Sequence, residues 1–250
     1  MTTIAIIPAR GGSKGIKRKN VERVGGHPLL FYQLSNAYLA SKIDHVVVSS
    51  EDDRILEIAK EITEKYFGAF QTKIIFMKRP QELAEDDVLL EPVIDHVLAV
   101  LETDGICADV VCVLQPTSPL FTNLYIDWTL HKLEQDVDMD SIFTASEFHG
   151  FIWGYQNISG ENWIKDSKMS DKYVEPIYQK TKIRRQDMAP AYLENGALYA
   201  FEVDTYRKAK KMLHGNIGMQ IMPKSMSPEI DDYEDLKIVR AIMKYNEDRK

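Results

Sequence analysis

Short apolar runs alternate with amphipathic stretches through the first half of the chain, and the two periodicities are distinct. Thr3–Pro8 (TIAIIP) and His45–Ser49 (HVVVS) are dense in β-branched residues over four to six positions, which predicts buried strands. Lys73–Met77 and Asp109–Leu114 predict two more strands of the same kind. Between them lie segments with apolar residues at three- and four-residue spacing: Leu29–Ala40 behind Pro28, Asp52–Lys65, Val88–Glu102 and Asn123–Gln135. In the second of these, Ile55, Ile58, Ala59 and Ile62 share one face behind an acidic first turn. Strands apolar along their whole length, separated by helices, belong to a parallel sheet covered on both faces. Ligands of such sheets sit beyond the carboxyl ends of the strands. Three loops there have unusual composition: 9–20, 78–87 and 115–122.

Beyond residue 140 the pattern changes. Residues 147–187 mix aromatic, charged and polar positions and do not read as another βα unit, so they predict an inserted arm or small sheet. Phe151, Trp153, Tyr155 and Trp163 on it suggest a partner surface, most simply a second copy of the chain; a locally packed β excursion is the alternative. The core resumes at Ala197–Phe201 and Ile217–Met222, and Asp232–Tyr245 predicts a C-terminal helix.

The 250 residues suit one α/β domain with an elaboration, here 1–250 as a single domain with 147–187 inserted. A formal net charge of −7 argues against general nucleic-acid binding and directs attention to any local cationic cluster. The two cysteines, Cys107 and Cys112, fall in one apolar run, Ile106–Leu114, that reads as a buried strand. Five strand residues span roughly 16 Å, beyond the limit of about 7 Å between bridged Cα atoms. A reduced, cytoplasmic protein is therefore expected. The apolar stretch at 3–8 is too short for a signal peptide, no run approaches a membrane span, and the His residues show no zinc-ligand spacing.

The cationic cluster follows the first strand directly: Ala9-Arg10-Gly11-Gly12-Ser13-Lys14-Gly15-Ile16-Lys17-Arg18-Lys19-Asn20. Three glycines let the backbone turn and bring its N–H groups against a ligand, and the interspersed Arg and Lys supply the positive charge a polyphosphate needs. The register is neither that of a P-loop nor that of a dinucleotide fingerprint.

The stretch IIPARGGSKGIKRKN resembles the signature of the N-acylneuraminate cytidylyltransferases, the CMP-sialic acid synthetases, which include CMP-legionaminate and CMP-pseudaminate synthetases. HPLLFYQL, HVVVSSEDDRILEIAKE, RPQELAED, LQPTSPL, ENGALYAF and EIDDYEDL match further segments of that family in order and spacing. The resemblance implies a nucleotide-diphospho-sugar transferase type α/β sandwich, with a mostly parallel sheet flanked by helices. It implies a homodimer built through the arm, and the reaction of CTP with an acidic nine-carbon sugar to give CMP-sugar and pyrophosphate. In that reading Arg10, Lys14 and Lys19 neutralise the triphosphate, with Ala9, Gly12, Ser13, Asn20 and Arg79 also at the nucleotide. Gln115, Thr117, Ser118, Arg185, Tyr192, Asn195 and Gly196 belong to the sugar pocket. Mg²⁺ is expected on Asp231, which is counted with the catalytic residues, and on Glu229. Plainer alternatives remain: a surface arginine for Arg79, a mere turn for 115–120, a hairpin at Asn195-Gly196 and helix capping for Asp231-Asp232, with Asp232 the expected cap.

Four features depart from the family pattern: Leu193, Glu51, Glu229, and Asp87-Val88-Leu89-Leu90 in place of a serine-rich stretch. They border the sugar and nucleotide pockets and leave the cationic loop intact. Two other readings therefore stand beside the first. One is a related nucleotidyltransferase for a 3-deoxy-octulosonate or sugar phosphate; the other is a catalytically silent nucleotide-binding module.

Overall fold

The computed structural model describes residues 1–68, 73–157, 169–177 and 184–248. In chain order the elements are β1 (Thr3–Pro8), β2 (Arg23–Val24), β3 (His27–Pro28), α1 (Leu29–Leu39), β4 (His45–Ser50), α2 (Asp53–Tyr66), β5 (Ile74–Lys78), α3 (Leu90–Thr103), β6 (Val110–Leu114) and α4 (Asn123–Gln135). There follow β7 (Ser141–Phe148), β8 (Trp153–Asn157), β9 (Met169–Pro176), β10 (Ala191–Glu202), α5 (Val203–Ala209), β11 (Ile217–Met222) and α6 (Tyr233–Glu247).

Seven strands form the main sheet in the order β11-β7-β10-β6-β1-β4-β5. The four in its N-terminal half, β6, β1, β4 and β5, are mutually parallel; β10 runs antiparallel to β6, and β11 parallel to β7. The expected α/β sheet flanked by helices is therefore what the chain folds into. Successive strand residues face opposite ways. Ala5, Ile7, Val46, Val48 and Cys112 accordingly meet α1, α2 and α4 through residues such as Leu34, Ala59 and Ile126. Ile4, Ile6, Val47, Val111 and Val113 meet Ile94, Val97 and Leu101 of α3 and Tyr206 of α5.

From β1 the chain moves outward to β4 and β5, then returns to place β6 on the other side of β1. Crossovers diverge at such a point, and a crevice opens beyond the strand ends. A third, smaller cluster closes one side of it. Ile16, from the cationic loop, is buried with Val24, Leu29, Ile230, Leu236 and Val239. This ties the loop to the start of α6, which begins with a reciprocal capping box between Asp232 and Asp235.

The apolar run 106–114 is not one strand. Cys107 is exposed and precedes β6, whereas Cys112 is buried within it, and both are free. Asp109 interrupts the run: its carboxylate accepts the Thr2 N–H, and the strand begins only at Val110. The β2–β3 pair, α5 and β7 lie outside the elements that the sequence pattern predicts.

Residues Glu147–Leu193 form a second compact unit. Its described core is the antiparallel pair β8–β9, with Trp153 opposite Pro176 and Tyr155 opposite Val174. Trp153 and Tyr155 are exposed and Phe151 is half-buried; Trp163 lies outside the described residues.

Candidate active site

A cleft of about 460 Å³ opens at the carboxyl ends of β1 and β6, within the size range of small-molecule sites. Pro8 and the loop after β1 supply one wall, with Arg10, Ser13, Lys14, Gly15, Lys19 and Asn20. Gln115, Pro116 and Thr117, which follow β6, supply the second. Arg79 and the 83–93 segment, including Leu83, Val88, Leu89 and Val93, supply the third, and Asp231 stands at the edge. The three loops of unusual composition thus converge on one space.

The loop is held from within. Asn20 is buried, and its amide donates to the Arg10 carbonyl at 2.8 Å. Ala9 is buried and donates its backbone N–H to Ser49 at 2.9 Å, joining the loop to β4 rather than lining the cleft. Gly11 and Gly12 lie over a separate depression beside Glu51, Asp52 and Asp53. Gly11 is required by close approach, because a Cβ there would come within 2.5 Å of the Asp52 carboxylate. Gly15 is required for the same reason, since a Cβ would collide with the Asp231 carbonyl.

The cations of the cleft are each paired. Asp86 bridges two of them, accepting Arg10 Nη1 at 2.9 Å on one oxygen and Lys14 Nζ at 3.0 Å on the other. Lys14, and to a lesser degree Arg10, holds the Asp86 carboxyl below the usual range. Lys19, with 14% of its side chain exposed, donates to Asp231 at 3.0 Å, and Asp231 is 74% exposed. Arg79 is no surface arginine: it is buried and donates Nε and Nη2 to one oxygen of Glu51, at 3.2 and 2.9 Å. Burial pulls its pKa down against the opposing pull of Glu51.

On the second wall, Gln115 and Thr117 reach the cleft, but Ser118 does not. Ser118 is fully buried and its carbonyl accepts the Gln33 amide, so the expectation of a substrate contact gives way to a role in shaping the turn. Asn195 is likewise buried, donating to Ser227 Oγ at 3.1 Å and accepting Thr144 Oγ1 at 2.7 Å. It and Gly196 lie within β10 rather than in a hairpin; Gly196 has φ +60°, and Glu229 occupies the place its Cβ would take. Tyr192 is exposed and belongs to the second compact unit. The side chain of Arg185 lies outside the described residues.

Glu229 does not line the cleft. It accepts Thr117 Oγ1 at 3.4 Å, and burial, reinforced by Asp231, pushes its carboxyl up to about 7. Among the described residues, no three His, Cys, Asp or Glu side chains gather closely enough to hold a metal ion. The exposed Asp231 carboxylate at the cationic cleft would suit Mg²⁺, an ion that takes one or two carboxylates, phosphate oxygens and waters.

Sequence reasoning missed Asp86 as a bridge between Arg10 and Lys14, Glu51 as the partner of Arg79, and Ile16 as an anchor. For Asp86 the signal was present in RPQELAED, but its pairing depends on how the 81–88 segment folds back.

A family model described as cytidylyltransferase matches residues 4–248. The pseudaminic acid cytidylyltransferase of Campylobacter jejuni subsp. jejuni serotype O:2 is 29% identical over 248 residues, 98% of each chain. The N-acylneuraminate cytidylyltransferase of Streptococcus agalactiae serotype V is 27% identical over 237 residues, which make up 94% of this chain and 52% of that protein. A solved CMP:2-keto-3-deoxy-manno-octonic acid synthetase complexed with CTP shares the fold, with a TM-score of 0.65 at 17% identity, covering 98% of this chain and 100% of that one.

Proposed function

The chain belongs to the cytidylyltransferase family, and from that premise we propose that it transfers CMP from CTP to the anomeric hydroxyl of a nonulosonic acid, with release of pyrophosphate. The observation that carries this reading is the convergence of Arg10, Lys14 and Lys19 on one cleft at the β1/β6 divergence, with Asp231 beside Lys19. The similarity to cytidylyltransferases named for pseudaminic and N-acylneuraminic acids supports an acidic sugar of that class.

The sugar hydroxyl attacks the α-phosphorus and releases its proton to solvent, the bond from the α-phosphorus to the bridging oxygen breaks, and pyrophosphate leaves. Charge builds on the phosphate oxygens and the leaving group. Positioned cations that need no reorganisation are the main lever for such a step. Arg10 and Lys14 would exchange Asp86 for phosphate oxygens, and Lys19 would face the same group from the other side of the loop. Gln115 and Thr117 would orient the sugar. Mg²⁺ would be held by Asp231 and, when bound, would offset phosphate charge.

We also place the chain in a reducing, cytoplasmic compartment, which suits two free cysteines. No helix among the described residues is long and apolar enough to cross a membrane. The exposed aromatics of the 147–187 segment support pairing with a second copy, which light scattering would read as twice the chain mass; a single-chain mass would refute it.

The test of function is pyrophosphate release with CTP, Mg²⁺ and a panel of nonulosonic acids, 3-deoxy-octulosonate and sugar phosphates. Release with a nonulosonic acid is the expected result. Release only with one of the others would move the assignment to that substrate, and CTP binding without release from any sugar would indicate a silent nucleotide-binding module.

A further inference from the structure

In the sheet β4 lies between β1 and β5, so the residue that follows it can reach the exits of both neighbours. Backbone hydrogen bonds join all three exits: Ala9 N–H donates to Ser49 at 2.9 Å and Arg79 N–H to Ser50 at 3.0 Å. Glu51 is that following residue, and its two carboxylate oxygens divide their work. One accepts the Gly11 N–H of the cationic loop at 2.6 Å. The other accepts two guanidinium N–H groups of Arg79. Only 6% of the Glu51 side chain and 3% of the Arg79 side chain are exposed.

A buried carboxylate in this position does two things for the cleft. It neutralises a buried arginine that borders Arg10, so that two like charges can stand close to one anion site. It also consumes the N–H of the first loop glycine, which fixes the peptide from which Ser13 and Lys14 are presented. We propose that Glu51 is the positioning residue of the nucleotide site, a single buried carboxylate that locks the cationic loop through Gly11 and aims Arg79 into the cleft. Glu51 does not touch substrate; it acts through Gly11 and Arg79. The proposal rests on the cytidylyltransferase reading for its kinetic part only.

The experiment compares the full-length chain with Glu51→Gln, Glu51→Asp and the double variant Glu51→Gln/Arg79→Gln. The double variant leaves no uncompensated buried cation, and serves if the single Gln variant does not fold. In the ligand-free protein, the Gly11 amide proton, held by a carboxylate, resonates downfield in ¹H–¹⁵N spectra and moves upfield when Glu51 becomes Gln. In turnover, Glu51→Gln raises KM for CTP by about tenfold or more and lowers kcat, because the same loop presents Lys14 to the developing charge, while KM for the sugar stays within about threefold. The double variant shows at least the same rise in KM for CTP, and Glu51→Asp, which keeps the charge but shortens its reach, falls between wild type and Gln. A merely structural role would lower the active fraction and so kcat alone, leaving KM unchanged.

A Gly11 resonance unmoved in a folded Gln variant would overturn the lock, and an unchanged KM for CTP would overturn the role in nucleotide binding. Should wild type itself turn over no CTP, the functional reading fails, while the Gly11 resonance still decides whether Glu51 holds the loop.

Discussion

Lys19→Ala should separate chemistry from folding, because the role proposed for Lys19 in turnover carries a larger magnitude than its ion pair does in stability. Lys19 pairs with Asp231 at 3.0 Å, but 74% of the Asp231 side chain is in water. Solvent screens such a pair, and its net worth to stability is about 1 kcal/mol or less. For a chain of this length that corresponds to about 2–4 °C in Tm. The catalytic effect expected from the proposed role is larger. A preorganised cation aimed at charge that develops during phosphoryl transfer contributes about 3 kcal/mol, or roughly 10²-fold in kcat. The assay is continuous pyrophosphate release at saturating CTP, Mg²⁺ and sugar, paired with thermal unfolding of the same preparation. The expected result is a kcat lowered by about two orders of magnitude with melting displaced by only a few degrees. A variant with normal melting and kcat within about fivefold of wild type would remove Lys19 from the transition state.

Other consequences follow from packing. Gly15→Ala forces a methyl against the Asp231 carbonyl, so stability should fall by about 1–3 kcal/mol and CTP affinity with it; unchanged calorimetric unfolding would show that the loop and the 229–232 segment are not in contact. Asp232→Ala removes the cap whose side chain accepts the Glu234 and Asp235 N–H groups. Its cost is about 1 kcal/mol of stability at unchanged KM for CTP, and a raised KM would mean that Asp232, not only Asp231, serves the ligand. Cys107 is exposed, whereas Cys112 is buried with its thiol pushed well above the usual range by burial. A thiol reagent should therefore titrate one cysteine in the native chain and the second only after unfolding; rapid reaction of both would contradict the placement of β6.

The parallel half of the sheet is legible because a strand buried on both faces has an apolar centre, and IAII of β1 and VVV of β4 supply one, with Thr3, Ser49 and Ser50 buried at the strand ends. The antiparallel half is less so. β7, SIFTASEF, carries polar residues that sequence alone reads as surface, yet Ser141 is buried by hydrogen bonds to the His214 backbone, 73 residues away. Ile106, Cys107 and Ala108 extend an apolar run and so read as part of a strand. What ends the strand is the capture of Asp109 by the chain's own N-terminal backbone, a contact 107 residues long. At the site, the glycines and cations of the loop are visible as a local motif. Their partners are not: Glu51 meets Arg79, 28 residues on, only because β4 and β5 are neighbours. Ser118 and Asn195 show the opposite failure, since their chemistry suggested ligand contacts and their burial directs them inward.

In the function proposed for this chain, the turn after β1 grips a nucleoside triphosphate. Isothermal titration of the ligand-free protein with CTP in the presence of Mg²⁺, with ATP, GTP and UTP as comparisons, addresses it most directly. The expected result is saturable CTP binding that weakens as salt rises and is tighter than binding of the other three. No saturable binding of any of the four nucleotides would contradict it.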